Sequence, residues 1–197
     1  MKFEFWIPIL IIIGLVAYGR QMVALSEYDL LLDNIQFLAT PVAVWWVLYS
    51  FYYYVEDEGA EVYFTYSISR KYLGIGRICF FYSIYIVLIS FLLLSCNQLK
   101  VQFLLPLCIQ GYILCTFSFF CILSFRSIVL SLGSIVIYVF ANMLNPSLAN
   151  SFFSIYFNYS IDMKLQDVII KSIILFIAGT YLLLKAQYKL DHFQFVK

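Results

Sequence analysis

Charge is what this sequence has least of. Asp, Glu, Lys and Arg make up 12% of its 197 residues, about half the share of a soluble domain (about 25%). That shortage excludes an ordinary soluble globular domain, because too few ions remain to cover a water-facing surface. Histidine is nearly missing: His192 stands alone. A zinc protease needs several ligands such as histidines at helical spacing, and an intramembrane serine protease needs a histidine partner, so neither is supported. The five cysteines (Cys79, Cys96, Cys108, Cys115, Cys121) contain no CxxC spacing. They read as small apolar fillers within helices, not as a metal site, a redox pair or a disulfide framework. No GxxxxGK[ST] segment occurs, so the chain lacks a phosphate-binding loop. A net charge of +1 leaves no basic footprint for nucleic acid.

What is abundant is apolar surface. The chain is 64% hydrophobic and 20% aromatic, with a mean hydropathy of +0.93. Six apolar runs, each near the length of about 20 residues that crosses a bilayer, leave no room for a second, soluble domain. The expected fold is a single all-α polytopic membrane domain with six transmembrane helices over about 5–19, 35–55, 78–95, 101–123, 128–144 and 168–184. Glu4 lies in the charged N-terminal region and Arg20 follows Gly19, so the first run reads as a retained span and not a cleaved signal. The stretch after it, with Glu27, Asp29 and Asp33, reads as a short loop with a half-buried helical piece. Residues 146–164 (PSLANSFFSIYFNYSIDMK) mix Asn and Ser with aromatics. They are too polar to span and too aromatic to be fully solvated, which fits an extracellular re-entrant element. The tail from Lys185 reads as a short interfacial cap.

Six spans place the N-terminus, residues 56–77, the Arg126 link and the C-terminal tail on one side. That side holds eight Lys and Arg, and the other holds four: Arg20, Lys100, Lys164 and Lys171. The positive side is cytoplasmic, so both termini and the 56–77 loop are expected in the cytoplasm of a bacterial cell, with the chain multi-pass in the plasma membrane. Ionisable residues are nearly absent from the middle of the runs, which argues against a proton-coupled carrier.

The polar island EDEGAEVYFTYSISRKYLGIGR, Glu56 to Arg77, is the one elaborate hydrophilic stretch. Acids come first (Glu56, Asp57, Glu58, Glu61) and bases later (Arg70, Lys71). A short helix over Asp57 to Tyr66 would carry its acids at the positive end of its dipole and group Val62, Tyr63 and Tyr66 on one face. Such a helix either rests on lipid or inserts into a partner's groove. The four acids disfavour a negative leaflet. Upstream, Trp45, Trp46, Tyr49, Phe51, Tyr52, Tyr53 and Tyr54 crowd the end of the second run. They form either an aromatic interface belt or the lining of a path for an amphipathic substrate. Trp45, Tyr49 and Tyr52, with Phe152 and Phe153 from the re-entrant segment, are the candidate path residues.

The island resembles the first cytoplasmic loop, the coupling helix, of permease subunits of ABC transporters of the type-2 exporter class. Glu56 and Glu58 match that family's acidic start, Gly59-Ala60 its Gly-Thr pair, and Val62, Tyr63 and Phe64 its apolar helix. Ser67-Ile68-Ser69-Arg70 matches its Pro-apolar-Ser-Arg turn, and Arg77 its closing basic residue. Ser67 replaces the usual Pro and Ala60 the usual Thr. The resemblance implies a permease that forms the membrane pathway with a second permease subunit, identical or different. A separate ABC ATP-binding subunit, which holds ATP and Mg, would dock on Glu56, Glu58, Gly59, Glu61, Val62, Tyr63, Phe64, Tyr66, Ser69 and Arg70. The exporter class implies outward movement, and the 20% aromatic content suits an amphipathic peptide or lipid-like cargo. The chain itself is then not an enzyme and carries no cofactor. A different class remains open on the same residues: a non-transporting membrane scaffold or assembly subunit that binds a cytoplasmic partner through the loop.

Overall fold

The computed structural model describes residues 6–24, 28–55, 72–98, 100–144, 154–157 and 165–192. Among them are six long helices: α1 (Ile7–Ala24), α2 (Tyr28–Val55), α3 (Arg77–Ser95), α4 (Val101–Phe125), α5 (Ile128–Leu144) and α6 (Leu165–Asp191). A π-helical turn, Tyr72–Gly76, leads directly into α3. The described residues are otherwise loop or turn, without strands. Four segments are long and apolar enough to cross a membrane: Leu32–Tyr52, Gly74–Ser95, Val101–Phe125 and Leu165–Asp191. Ile7–Val23 and Ile128–Asn142 are equally apolar in character but shorter.

Three helices run well past their apolar runs: α1, which reaches Ala24, α2 and α6. α2 starts at Tyr28, so the helical piece expected in the Glu27–Asp33 stretch is continuous with the second run. α6 continues to Asp191 through the stretch read as a cap. Leu183, Ala186, Gln187 and Leu190 recur there at helical spacing and are buried, while Lys185 and Tyr188 face outward.

Side-chain pairings fix the directions. Gln36 meets Gln110, and Phe51 meets Phe119, so α2 and α4 are parallel. Tyr112 meets Thr180, and Ser124 meets Lys189, so α6 runs the same way. α3 runs against them: Arg77 meets Ser50, and Phe81 lies beside Trp46. The Asn34–Tyr18 bond closes the α1–α2 hairpin, and Tyr138 returns along α4 to Phe117. The helices therefore alternate up and down. One end gathers the start of α3 and the ends of α2, α4 and α6. The opposite end gathers the ends of α1 and α3 and the starts of α2, α4 and α6.

α4 is the centre, packed against α2, α3, α5 and α6 and buried from Pro106 to Leu123 on most positions. Glycine permits the closest approaches. The Tyr85 ring lies on Gly111, and the Tyr112 ring lies on Gly179, as small residues at helix interfaces allow. Hydroxyls that an apolar surrounding would penalise bond back to their own helix. Ser83, Ser95, Ser124, Ser131, Ser134 and Thr180 each donate to the carbonyl four residues earlier. Two tight links use left-handed residues: Asn97 (φ 54°) after α3, and Arg126 (φ 52°), whose N–H caps α4 on the Ile122 carbonyl. All five cysteines are free; Cys96, Cys115 and Cys121 are buried, Cys108 is half-buried, and Cys79 is exposed near the start of α3.

Candidate functional site

The expected docking residues Glu56, Glu58, Gly59, Glu61, Val62, Tyr63, Phe64, Tyr66, Ser69 and Arg70 lie outside the described residues, as do Phe152 and Phe153. What the structure does show is how the chain leaves the island. Gly74 and Gly76 belong to the π turn, whose hydrogen bonds do not fit the helix register that follows. The Ile75 N–H donates to Gln187 Oε1 at 3.3 Å, and Gln187 Nε2 donates to Asp191 at 2.9 Å. Arg77 Nη1 donates to the Ser50 carbonyl at 3.0 Å, which ties the same corner to α2. Lys189 donates to Ser124 Oγ at 2.8 Å and lies 4.5 Å from the centre of the Phe120 ring. The last turns of α6 thus clamp the island's exit and the end of α4 together.

Gly74 is required by this clamp. A Cβ there would stand 2.1 Å from Gln187 Oε1 and 2.9 Å from Leu190 Cδ2. The glutamine end can swing away, but only by releasing the Ile75 N–H. Gly74→Ala is expected to cost about 1 kcal/mol, the net worth of one such bond. The readout is faster amide exchange at Ile75 and a small fall in melting temperature. Unchanged protection of Ile75 would show that the clamp does not depend on Gln187.

Trp45, Tyr49 and Tyr52 fall on one face of α2 at i, i+4 and i+7, Tyr49 half-buried and the other two exposed. Trp45 lines an apolar groove of about 430 Å³ between α2 and α5, with Phe37, Pro41, Leu48, Ile135 and Phe140 among its walls. A second groove of about 390 Å³ opens between α5 and α6 over Ile113 and Phe117 of α4. Both are greasy clefts with almost no polar lining. They suit acyl chains or apolar side chains and contain nothing that orients a charged ligand.

The polar chemistry is elsewhere, in a buried cluster toward the opposite end. Residues Ser154 to Phe157 are non-helical, and all four are buried. Gln36 reads this segment's backbone at two points. Its Nε2 donates to the Phe157 carbonyl at 2.8 Å, and its Oε1 accepts from the Phe157 N–H at 3.1 Å. The same Oε1 accepts from Gln110 Nε2 at 2.8 Å. Lys171 donates to the Tyr156 carbonyl at 2.6 Å, and its ammonium lies 4.6 Å from the centre of the Phe157 ring. The Tyr156 ring packs on Phe37, centroids 4.7 Å apart. α2 and α6 therefore hold one non-helical segment between them, and α4 braces Gln36 through Gln110.

No family model, curated protein or solved structure matches this chain.

The site's chemistry must be read from the chain itself. Lys171 is buried to 9% exposure six residues inside α6. Gln36 and Gln110 attracted no notice in the sequence. A single glutamine in an apolar run was the only available signal, and an amide in such a place needs hydrogen-bond partners.

Proposed function

We propose that this chain is the permease subunit of an ABC transporter of the type-2 exporter class. In this reading it crosses the plasma membrane of a bacterial cell six times, with both termini and the 56–77 loop in the cytoplasm. It forms the membrane pathway with a second permease subunit, identical or different. It is driven by a separate ATP-binding subunit that holds ATP and Mg and docks on the loop. Its cargo is an amphipathic peptide or lipid-like molecule moved outward.

The order of residues in the island carries the reading: acids, Gly59, the aromatic face, then Ser-Ile-Ser-Arg. Two structural facts support it. The long apolar helices suit a membrane, and the island's exit is clamped to the ends of α2, α4 and α6. A push on the loop would then move three helices of the pathway together. Aromatic anchors such as Tyr63 would supply docking energy, and the acids would set register.

Co-purification of the chain with an ATP-binding subunit is the first test. Tyr63→Ala and Glu58→Lys are then expected to reduce pathway-coupled ATPase activity at least tenfold, while the chain still inserts in membranes. If the island is replaced by a flexible linker and the ATPase stays bound and coupled, the docking reading is wrong.

A further inference from the structure

The buried segment is held the way a protein holds a bound peptide. Within a helix, backbone groups bond to their own helix; here the Tyr156 C=O and both groups of Phe157 bond to side chains of helices, while the Tyr156 N–H donates to Ser154 Oγ within the segment. Gln36 exchanges two bonds with the N–H and C=O of one residue, as one strand residue does with its neighbour. Lys171 takes the preceding carbonyl. These contacts read main chain, which every peptide offers. The aromatic settings add selectivity: Phe37 receives the Tyr156 ring, and the Lys171 ammonium covers the Phe157 ring.

The helices also carry unused hydrogen-bonding capacity beside the segment. Gln110 Oε1 is fully buried and Ser172 Oγ belongs to a residue only 4% exposed, and neither atom has a hydrogen-bond partner among the described residues. Gln110 is bonded to Gln36, which reads the segment. Burying an unpaired amide oxygen is costly, so the Gln110 Oε1 beside a peptide-like contact is a second, independent sign of a binding site. A simple plug would be held as well by apolar packing.

We propose that Ser154 to Phe157 occupies a peptide-binding site as a built-in stand-in, and that the site takes a short, non-helical peptide with aromatic side chains when the segment is displaced. Gln36 and Lys171 bind the incoming main chain, and Phe37 and the Lys171 ammonium receive its rings. The segment is tethered at both ends, so it competes at an effective concentration of about millimolar. Free peptide therefore binds the intact chain weakly. The use of this site in export rests on the transport reading; the binding itself does not.

The test uses the purified full chain in lipid nanodiscs, with no ATP-binding subunit, and a fluorescent Ser-Ile-Tyr-Phe peptide blocked at both ends. Tyr156→Ala with Phe157→Ala empties the aromatic settings and leaves the Gln36, Gln110 and Lys171 side chains present to bind main chain. This variant is expected to bind the probe at least tenfold more tightly than the intact chain. Adding Lys171→Met is expected to reverse the gain at least fivefold. Equal binding by variant and intact chain, or a gain indifferent to Lys171→Met, overturns the proposal and leaves the segment a structural plug. If the double variant does not fold, a benzophenone-bearing probe at high concentration is read on the intact chain. Saturable labelling of α2, α4 or α6 around Gln36, Gln110 and Lys171 supports the site, and labelling confined to the outer faces overturns it. Failure here leaves loop docking standing, and failure of co-purification leaves this site standing.

Discussion

Gln36→Leu is expected to lower the stability of the fold by about 4 kcal/mol, because it strands three buried groups at once, each worth about 1–3 kcal/mol when unsatisfied. Those groups are the N–H and C=O of Phe157 and the Nε2 of Gln110. Leucine has nearly the right volume, so the loss is one of hydrogen bonds and not of packing. Gln110→Leu is the informative contrast. It removes one donor to Gln36, but it also removes an Oε1 that has no partner among the described residues. Its cost is expected to stay near 1 kcal/mol. Thermal unfolding in detergent, followed by intrinsic fluorescence, separates the two. Similar melting temperatures for both variants would mean that Gln36 does not hold the segment.

Gly111→Ala is expected to cost about 3 kcal/mol by overpacking. The new Cβ would stand 2.2 Å from Tyr85 Cε1 and 2.8 Å from two further ring atoms. Tyr85 is fully buried, and its hydroxyl donates to the Leu107 carbonyl at 3.2 Å. The ring cannot step aside without losing that bond and separating α3 from α4. Gly133→Ala supplies the control, since nothing stands within 4 Å of a Cβ there. In a helix interior that change is expected to stabilise by about 0.5–1 kcal/mol. If both alanine variants melt alike, the Tyr85–Gly111 contact does not hold α3 to α4.

The helices were legible in the sequence because bilayer-length apolar runs constrain the chain strongly. The α4–α5 link is a good example: a short polar stretch around Arg126 between two long runs leaves room only for a sharp reversal. The ends of α2 and α6 were less legible. The polar stretch around Asp29 and Asp33 hid how the start of α2 joins its apolar run, and Lys185 to Asp191 resemble a tail until Ala186, Gln187 and Leu190 are seen to share a buried face. The polar cluster was hidden for a different reason. Gln36 pairs with Phe157 across 121 residues, and it pairs with backbone, which leaves no trace in residue identity. The burial of Lys171 was hidden likewise, because the groups that receive it are a carbonyl and an aromatic ring of a segment distant in sequence.

The distribution of the thiols has a practical consequence. Three of the five are enclosed, Cys108 is half-covered, and Cys79 alone points outward, two residues past Arg77 at the clamped corner. A small, lipid-soluble maleimide dye should therefore attach at a single native position. It would place an optical reporter at the corner where the island meets the helices, with no cysteine added or removed.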